Sequence, residues 1–243
     1  MQSAAAAQGR VSDVSIGTPR VREEWRARIA AEYTSAAITQ HLVLWLIQAG
    51  APPDLIDEGL AIVADELAHS RLSHEVYVAA GGDRPPALER EQLGLARHHD
   101  RREDDILRVA VRVFCLGETV AVPLFRHLRE PCTQPTAKAA LDRILRDEVR
   151  HRDFGWDLLD WLLTIDDDVS VRVTHALPAM LAELERSYGT GNEAIANDDG
   201  SITAEDRAWG LALPRDYAEI LARTVERDFI PRFAARDIRV KNA

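Results

Sequence analysis

The sequence predicts an all-α protein: a four-helix bundle with two to three additional C-terminal helices. Three observations carry that expectation. Ala, Leu, Arg and Glu dominate the 243 residues, whereas Gly (13) and Pro (11) are sparse. The dominant types are those that cost least in a helix. Four long stretches repeat apolar residues at alternating steps of three and four, the period of a helix face buried in a bundle. Short Gly- and Pro-rich segments separate these stretches, where helices stop. Hydrophobic residues make up 46% of the chain, enough for a sizeable core. The expected division is a disordered tail over residues 1–18, the bundle over 19–165, and C-terminal helices packed on it over 166–243.

The first helix is expected from about Pro19–Glu23 to Gln48, with Trp25, Ile29, Glu32, Ala36, Thr39, Val43 and Leu46 as its seam. Gly50-Ala51-Pro52-Pro53 turns the chain. The second helix runs from Pro53 to Ala80 and places Ile62, Glu66, His69, Ser73 and Tyr77 on one side. Gly81 to Pro86 ends it. Residues 87–100 read as helical but polar. Neighbours on a helix point about 100° apart, so His98 and His99 cannot both face one interior site and are expected in solvent.

A third long helix is expected from Arg102 to Arg129, with Leu107, Val111, Phe114, Cys115, Glu118, Ala121, Val122 and Phe125 inward. Pro123 should kink it just past Glu118. After Pro131 to Pro135, with Thr136 as the expected cap, a fourth helix reaches about Leu163. Its seam is Leu141, Ile144, Glu148, His151, Gly155, Leu158 and Leu162. A fifth helix follows over about Val169 to Tyr188, bent at Pro178, and then a polar loop over Gly189 to Ser201. Thr203 opens a short helix with Asp206 three residues on, a capping-box spacing. The last helix spans about Pro214 to Ile230 and stops near Pro231.

Two of the four bundle seams contain the same motif, Asp65-Glu66-Leu67-Ala68-His69 and Asp147-Glu148-Val149-Arg150-His151. Helical residues three apart share a face, so each Glu projects with its His. The other two seams carry one glutamate each, Glu32 and Glu118. A carboxylate at a core position is costly unless it is paired or metal-bound. A single E-x-x-H is common by chance, and a single core glutamate often pairs with an arginine. Here the order is Glu, E-x-x-H, Glu, E-x-x-H, the inward-facing donor set of a di-metal carboxylate bundle. The candidate ligands are therefore Glu32, Glu66, His69, Glu118, Glu148 and His151.

Helix lengths test whether these donors come level. Glu118 to Glu130 and Thr136 to Glu148 are both 12 residues. An antiparallel hairpin therefore sets these two glutamates at one height, roughly 18 Å from the turn. Glu32 to Gln48 is 16 residues and Pro53 to Glu66 is 13, a mismatch of less than one turn. Glu118 lies far beyond the Gly81–Pro86 break. Level donors therefore require residues 81–100 to carry the chain back across the bundle as a long crossover.

The formal charge of −10 argues against general binding to nucleic acid or anionic membranes. No apolar stretch approaches the ~20 residues of a membrane span, and the N-terminus lacks the basic start and apolar core of a signal peptide. The two cysteines, Cys115 and Cys132, show no disulfide or metal spacing, which fits a reducing cytoplasmic setting. Cys115 is expected as a buried thiol.

On Glu32, Glu66, His69, Glu118, Glu148 and His151, the chain resembles the ferritin-like di-iron carboxylate superfamily over about residues 20–165. The resemblance implies a ferritin-like bundle with Glu66 and Glu148 bridging two metals. It makes Glu32 and Glu118 terminal ligands and assigns one metal to each of His69 and His151. It also implies that Asp65 and Asp147 orient the imidazoles, with Arg150 behind them, as in the oxygen-activating oxidase and oxygenase branch. The D-E-x-R-H form at 147–151 is similar to that of acyl desaturases and bacterial hydrocarbon monooxygenases. Ser73 stands where the ribonucleotide reductase small subunit has its radical tyrosine, and Ile144 where arylamine N-oxygenases add a histidine.

The function this resemblance implies is an O2-dependent di-iron oxidoreductase acting on a small apolar or acyl-type substrate, with O2 as co-substrate and an external electron donor. The same donors suit manganese or a mixed manganese–iron pair. The alternative is a ferroxidase or iron-handling protein without an organic substrate. A third reading is a bundle that has lost its metal and binds a partner, against which the intact six-residue set argues. The roughly 75 residues after the fourth helix are expected to cover a substrate pocket or a homodimer face. Ala36, Thr39, Ser73, Ala121 and Gly155 either leave room beside the metals or let the helices pack closely. Thr39 is a candidate hydrogen-bond partner for bound oxygen.

Overall fold

The structure is a computed structural model that describes residues 16–187 and 202–240. Most of the expected tail and the loop over Gly189 to Ser201 lie outside the described residues. No strand occurs among those described, and no helix among them is long and apolar enough to cross a membrane.

Helix α1 (Pro19–Ala49) starts where Thr18 Oγ1 accepts from Val21 N and Pro19 takes the first position. It ends at Gly50, whose φ of 75° is left-handed, and Ala51 N returns to Leu46 O at 3.0 Å. Helix α2 (Pro53–Ala79) folds back along it. Three contacts fix the antiparallel register: Val43 against Gly59, Ile29 O accepting from Ser70 Oγ at 3.0 Å, and Gly17 against Ala80. The expected seams of both helices are buried, including the charged positions Glu32, Glu66 and His69.

Gly81 to Pro86 leave α2 as expected, but residues 87–100 depart from the expected helix. Only Arg90–Gln92 forms a single 3-10 turn, and the rest is irregular. The segment is mostly exposed, so it has no apolar stripe to bury and little to offset the cost of nucleating a helix. It is held by specific bonds instead. Leu95 N donates to His41 Nδ1 at 2.9 Å, which places it beside the second half of α1, whereas Ala80 sits at the start of α1. The segment thus returns along the bundle. His98 and His99 are exposed as expected, but His99 Nδ1 lies 2.8 Å from the buried Asp105 carboxylate.

Helix α3 is continuous but of three parts: Arg102–Val109, a π-helical segment Ala110–Glu118, and Thr119–Arg129. The expected kink at Pro123 is preceded by this π segment, which ends on Glu118 itself. A π turn holds more residues than an α turn, so it rotates the C-terminal part of α3 relative to the N-terminal part. Helix α4 (Pro135–Ile165) runs antiparallel to α3, with Trp156 Nε1 donating to Thr119 Oγ1 at 3.1 Å. Thr136 is not its cap. Pro135 occupies the first turn, and Gln134 stands at the cap position without a side-chain bond, its N–H already given to Ala208 O.

The C-terminal helices lie against α3, α4 and the start of α1. Helix α5 (Val169–Ser187) meets α3 through Arg172–Asp104 and Arg112–Glu183 ion pairs. Helix α6 (Ala204–Ala208) has the Thr203–Asp206 capping box, and Trp25 Nε1 donates to Trp209 O beyond it at 3.0 Å. Helix α7 comprises Pro214–Thr224, a π segment Val225–Phe229 and Ile230–Ala234. It continues through Pro231 rather than stopping there, since proline is tolerated at the first position of a new helical segment. Phe233 packs on Trp156 with ring centroids 4.9 Å apart.

Candidate metal centre

Helices α1, α2, α3 and α4 bring all six predicted donors together. One group contains Glu32, Glu66, His69 and Glu148, and a second contains Glu66, Glu118 and His151. Within each group the donor atoms lie within 4.8 Å of one another. Glu32, Glu66, His69, Glu148 and His151 are buried, and Glu118 is half-buried.

Glu66 and Glu148 each present one oxygen to each imidazole. His69 Nδ1 lies 3.7 Å from Glu66 Oε2 and 3.8 Å from Glu148 Oε1. His151 Nδ1 lies 3.3 Å from Glu66 Oε1 and 3.5 Å from Glu148 Oε2. Glu32 Oε2 completes the first group at 3.7 Å from His69 Nδ1. Donors bound to one ion by bonds of about 2 Å stand roughly 3 Å apart, so these spacings are close to those around an ion.

The other imidazole nitrogens are engaged. His69 Nε2 lies 3.2 Å from Asp147 Oδ2, and His151 Nε2 lies 3.3 Å from Asp65 Oδ2. Each aspartate therefore serves the histidine of the other motif, across the α2–α4 interface. Behind them, Arg143 donates to both Asp65 and Asp147, Arg150 donates to Asp65, and Arg146 Nε lies 3.4 Å from Asp147. Burial alone would raise the Asp147 carboxyl, but Arg143 and His69 outweigh it and hold the group below the usual carboxylate range.

With Nε2 occupied, each histidine turns Nδ1 toward the glutamates, and there the hydrogen bonding stops. His69 Nδ1, His151 Nδ1, Glu66 Oε2 and Glu148 Oε2 are buried without a hydrogen-bond partner. Buried polar atoms are normally satisfied, so four orphans facing one point call for a shared partner. The electrostatics agree. Burial, together with Glu66, pushes the Glu32 carboxyl up to about 8 although His69 opposes the shift. Burial beside Glu148 and Glu66 also pushes Glu118 well above its ordinary value. Burial would lower His69 and His151, but Glu32, Glu66 and Glu148 lift them to about 10 and about 11. The cluster thus demands positive charge at its centre. Two divalent cations balance four carboxylates and two neutral imidazoles, so the donor set fits such a pair.

A cavity of about 420 Å³ opens beside the cluster. Glu32, Glu66, Glu118 and Glu148 line it, together with the apolar Ala121, Leu124 and Phe125. A second cavity of about 290 Å³, between α3 and α5, also reaches Glu118 and Ala121. Ala121 therefore leaves room, as one of the two readings of the small residues required. Gly155 fits the other reading. A Cβ there would stand 2.6 Å from Phe114 Cβ and 2.9 Å from Cys115 N, so it lets α4 approach the π segment closely. Thr39 and Ser73 are fully buried with unpartnered hydroxyls, and neither lines the cavity. Cys115 is buried, donates to Gly155 O at 3.2 Å and takes no part in the cluster.

Sequence reasoning missed Arg143, Arg28 and Tyr217. Arg143 lies four residues before Asp147, a helical spacing that could have marked it. Arg28 has the same spacing before Glu32. Tyr217 comes from α7 and reaches the cavity only through tertiary packing.

No protein-family model, curated protein or solved structure matches the chain.

Proposed function

We propose that this chain is a ferritin-like di-iron protein that uses O2 to oxidise a small organic substrate. The observation that carries the reading is the pair of imidazoles whose Nε2 atoms are held by Asp147 and Asp65 while their Nδ1 atoms face four glutamates without a hydrogen-bond partner. Glu32, Glu66, His69 and Glu148 would hold one ion, and Glu66, Glu118 and His151, with Glu148 beside them, would hold the other. When bound, the two irons supply the electrons and open positions for activating O2. Manganese or a mixed pair satisfies the same donors.

The chain's own residues do the rest. Asp65 and Asp147 fix the tautomer and direction of the imidazoles, and Arg143 and Arg150 hold those aspartates in place by charged hydrogen bonds. The cavity lined by the glutamates gives an organic substrate access, and its apolar lining would contact the carbon body of such a substrate. That cavity favours an oxidase or oxygenase over iron storage, which needs no pocket for a carbon substrate. Such chemistry would draw its electrons from an external donor.

Metal analysis of the purified protein is expected to find about two transition-metal ions per chain, and Glu148→Ala to lose most of them. Full retention of metal by Glu148→Ala sinks the assignment. Anaerobic Fe(II) loading followed by O2 should consume O2 with a stoichiometry of about two irons per chain. Uptake of many irons per chain into a mineral identifies storage instead.

A further inference from the structure

We propose that the cavity beside the glutamate cluster takes a small carboxylic acid, with its carboxylate on Arg28 and its apolar body directed at the glutamates. The proposal rests on the di-metal reading and narrows its substrate class.

Arg28 lies on α1, and its side chain is 9% exposed. Most of its donors are spoken for. Nε and Nη2 reach Glu24 Oε1 at 3.2 and 3.1 Å, and Nη2 also reaches Gly210 O at 3.3 Å. The guanidinium stacks over Trp25 at 4.5 Å from the ring centroid and stands 5.9 Å from that of Phe125. These contacts fix the plane of the group. Nη1 is left buried without a hydrogen-bond partner. A buried, unsatisfied cationic donor is costly, and a bound anion removes that cost.

The place of this donor is informative. Arg28 lines the same cavity as Glu32, Glu66, Glu118 and Glu148. It lies one turn before Glu32, a rise of about 6 Å along α1. A molecule anchored at Arg28 by a carboxylate therefore presents an atom about one helical turn away to the metal end. That span fits a short aliphatic or single-ring acid and not a long acyl chain. Ala121, Leu124 and Phe125 supply apolar lining, with Phe125 close to the guanidinium. Tyr217 lines the same cavity and its phenol interacts with the Arg28 guanidinium, so an acid seated on Nη1 would lie beside both groups. Burial and Glu24 push its phenol up to about 12, so at neutral pH it keeps its proton. Two divalent ions cancel the charge of the four glutamates that would otherwise repel the acid.

The test titrates the full-length protein, with its metal content measured, with hexanoate and benzoate and with the matched neutral ligands hexanol and benzyl alcohol. Calorimetry is expected to show the acids binding about tenfold or more tightly than the alcohols. Arg28→Met keeps the stem over Trp25 and removes the charge, and should erase the preference while metal content stays at the parent's level. Arg28→Lys keeps the charge without the planar fork and should fall between. Equal affinity for acid and alcohol in metal-containing parent overturns the proposal. Survival of the preference in both Arg28 variants overturns it too, since the acid would then be bound by the metals alone. Should Arg28→Met fail to fold, Glu24→Gln decides: removing the competing carboxylate should tighten acid binding severalfold, and unchanged or weaker binding counts against Arg28. Absence of metal from the parent fails the di-metal reading separately.

Discussion

His69 on α2 meets Asp147 on α4 at 3.2 Å, and the contact is paired with its mirror, His151 to Asp65 at 3.3 Å. Each D-E-x-x-H motif therefore supplies the carboxylate that aims the other motif's imidazole. The bond does two jobs: it ties α2 to α4, and it decides which ring nitrogen faces the glutamates.

Asp147→Asn tests that relationship. The amide keeps the size but loses the charge, so His69 is held less firmly and is a weaker base. Metal affinity, measured by competition with a chelator, should fall about 10–100-fold with the helical content intact. Asp65→Asn should act in the same direction through His151.

Glu118 separates binding from stability. Burial beside Glu148 and Glu66 raises its carboxyl well above the ordinary range, because a charge there is costly to bury without a cation. Glu118→Gln should raise the thermal midpoint of the metal-free chain, by about 2–4 °C for each kcal/mol relieved. The same substitution should lower the number of metals retained. A drop in midpoint with metal content unchanged would show that Glu118 holds the fold rather than the ion.

Gly155→Ala should be destabilising for a reason outside the cluster. The new methyl meets Phe114 Cβ at 2.6 Å and the backbone of Phe114 and Cys115 at 2.7 and 2.9 Å. Backbone must move to admit it, at a cost of about 1–3 kcal/mol. Urea unfolding measures the loss. Because the displaced backbone belongs to the π segment that ends on Glu118, metal affinity should fall as well.

Asp105 anchors the returning segment at the start of α3. It is 1% exposed and accepts from Arg97 Nε at 2.6 Å, His98 N at 3.0 Å and His99 Nδ1 at 2.8 Å. Burial would raise its carboxyl, but these donors outweigh burial and hold it below the usual value. A carboxyl whose pKa is lower folded than unfolded stabilises above the unfolded value of about 3.9 and loses that contribution as the pH falls through the folded value. Asp105→Asn should therefore cost about 1–3 kcal/mol at neutral pH, with the gap to the parent closing as the pH falls below about 3.9. Urea midpoints across that range report it.

What the sequence determined by itself was local. The ends of α1 at Pro19 and Gly50, the seam from Trp25 to Leu46, and the buried positions of Glu32, Glu66, His69, Glu148 and His151 follow from the apolar period and from Gly and Pro, which act on their immediate neighbours. The polar run over residues 87–100 misled because it lacks helix breakers but also lacks an apolar stripe, and only packing decides such a case. The tertiary structure alone decided that Asp147 serves His69 rather than its own motif's histidine, and that α3 takes a π segment ahead of Glu118. It also decided that Arg28 and Tyr217 share a cavity with the four glutamates. These relations join residues up to 189 positions apart in the chain, from Arg28 to Tyr217, and are set by which helix faces meet when the core closes. The two D-E-x-x-H motifs mark Glu66, His69, Glu148 and His151 as candidate donors, and the packing of α2 on α4 turns Nδ1 of each imidazole toward the glutamates.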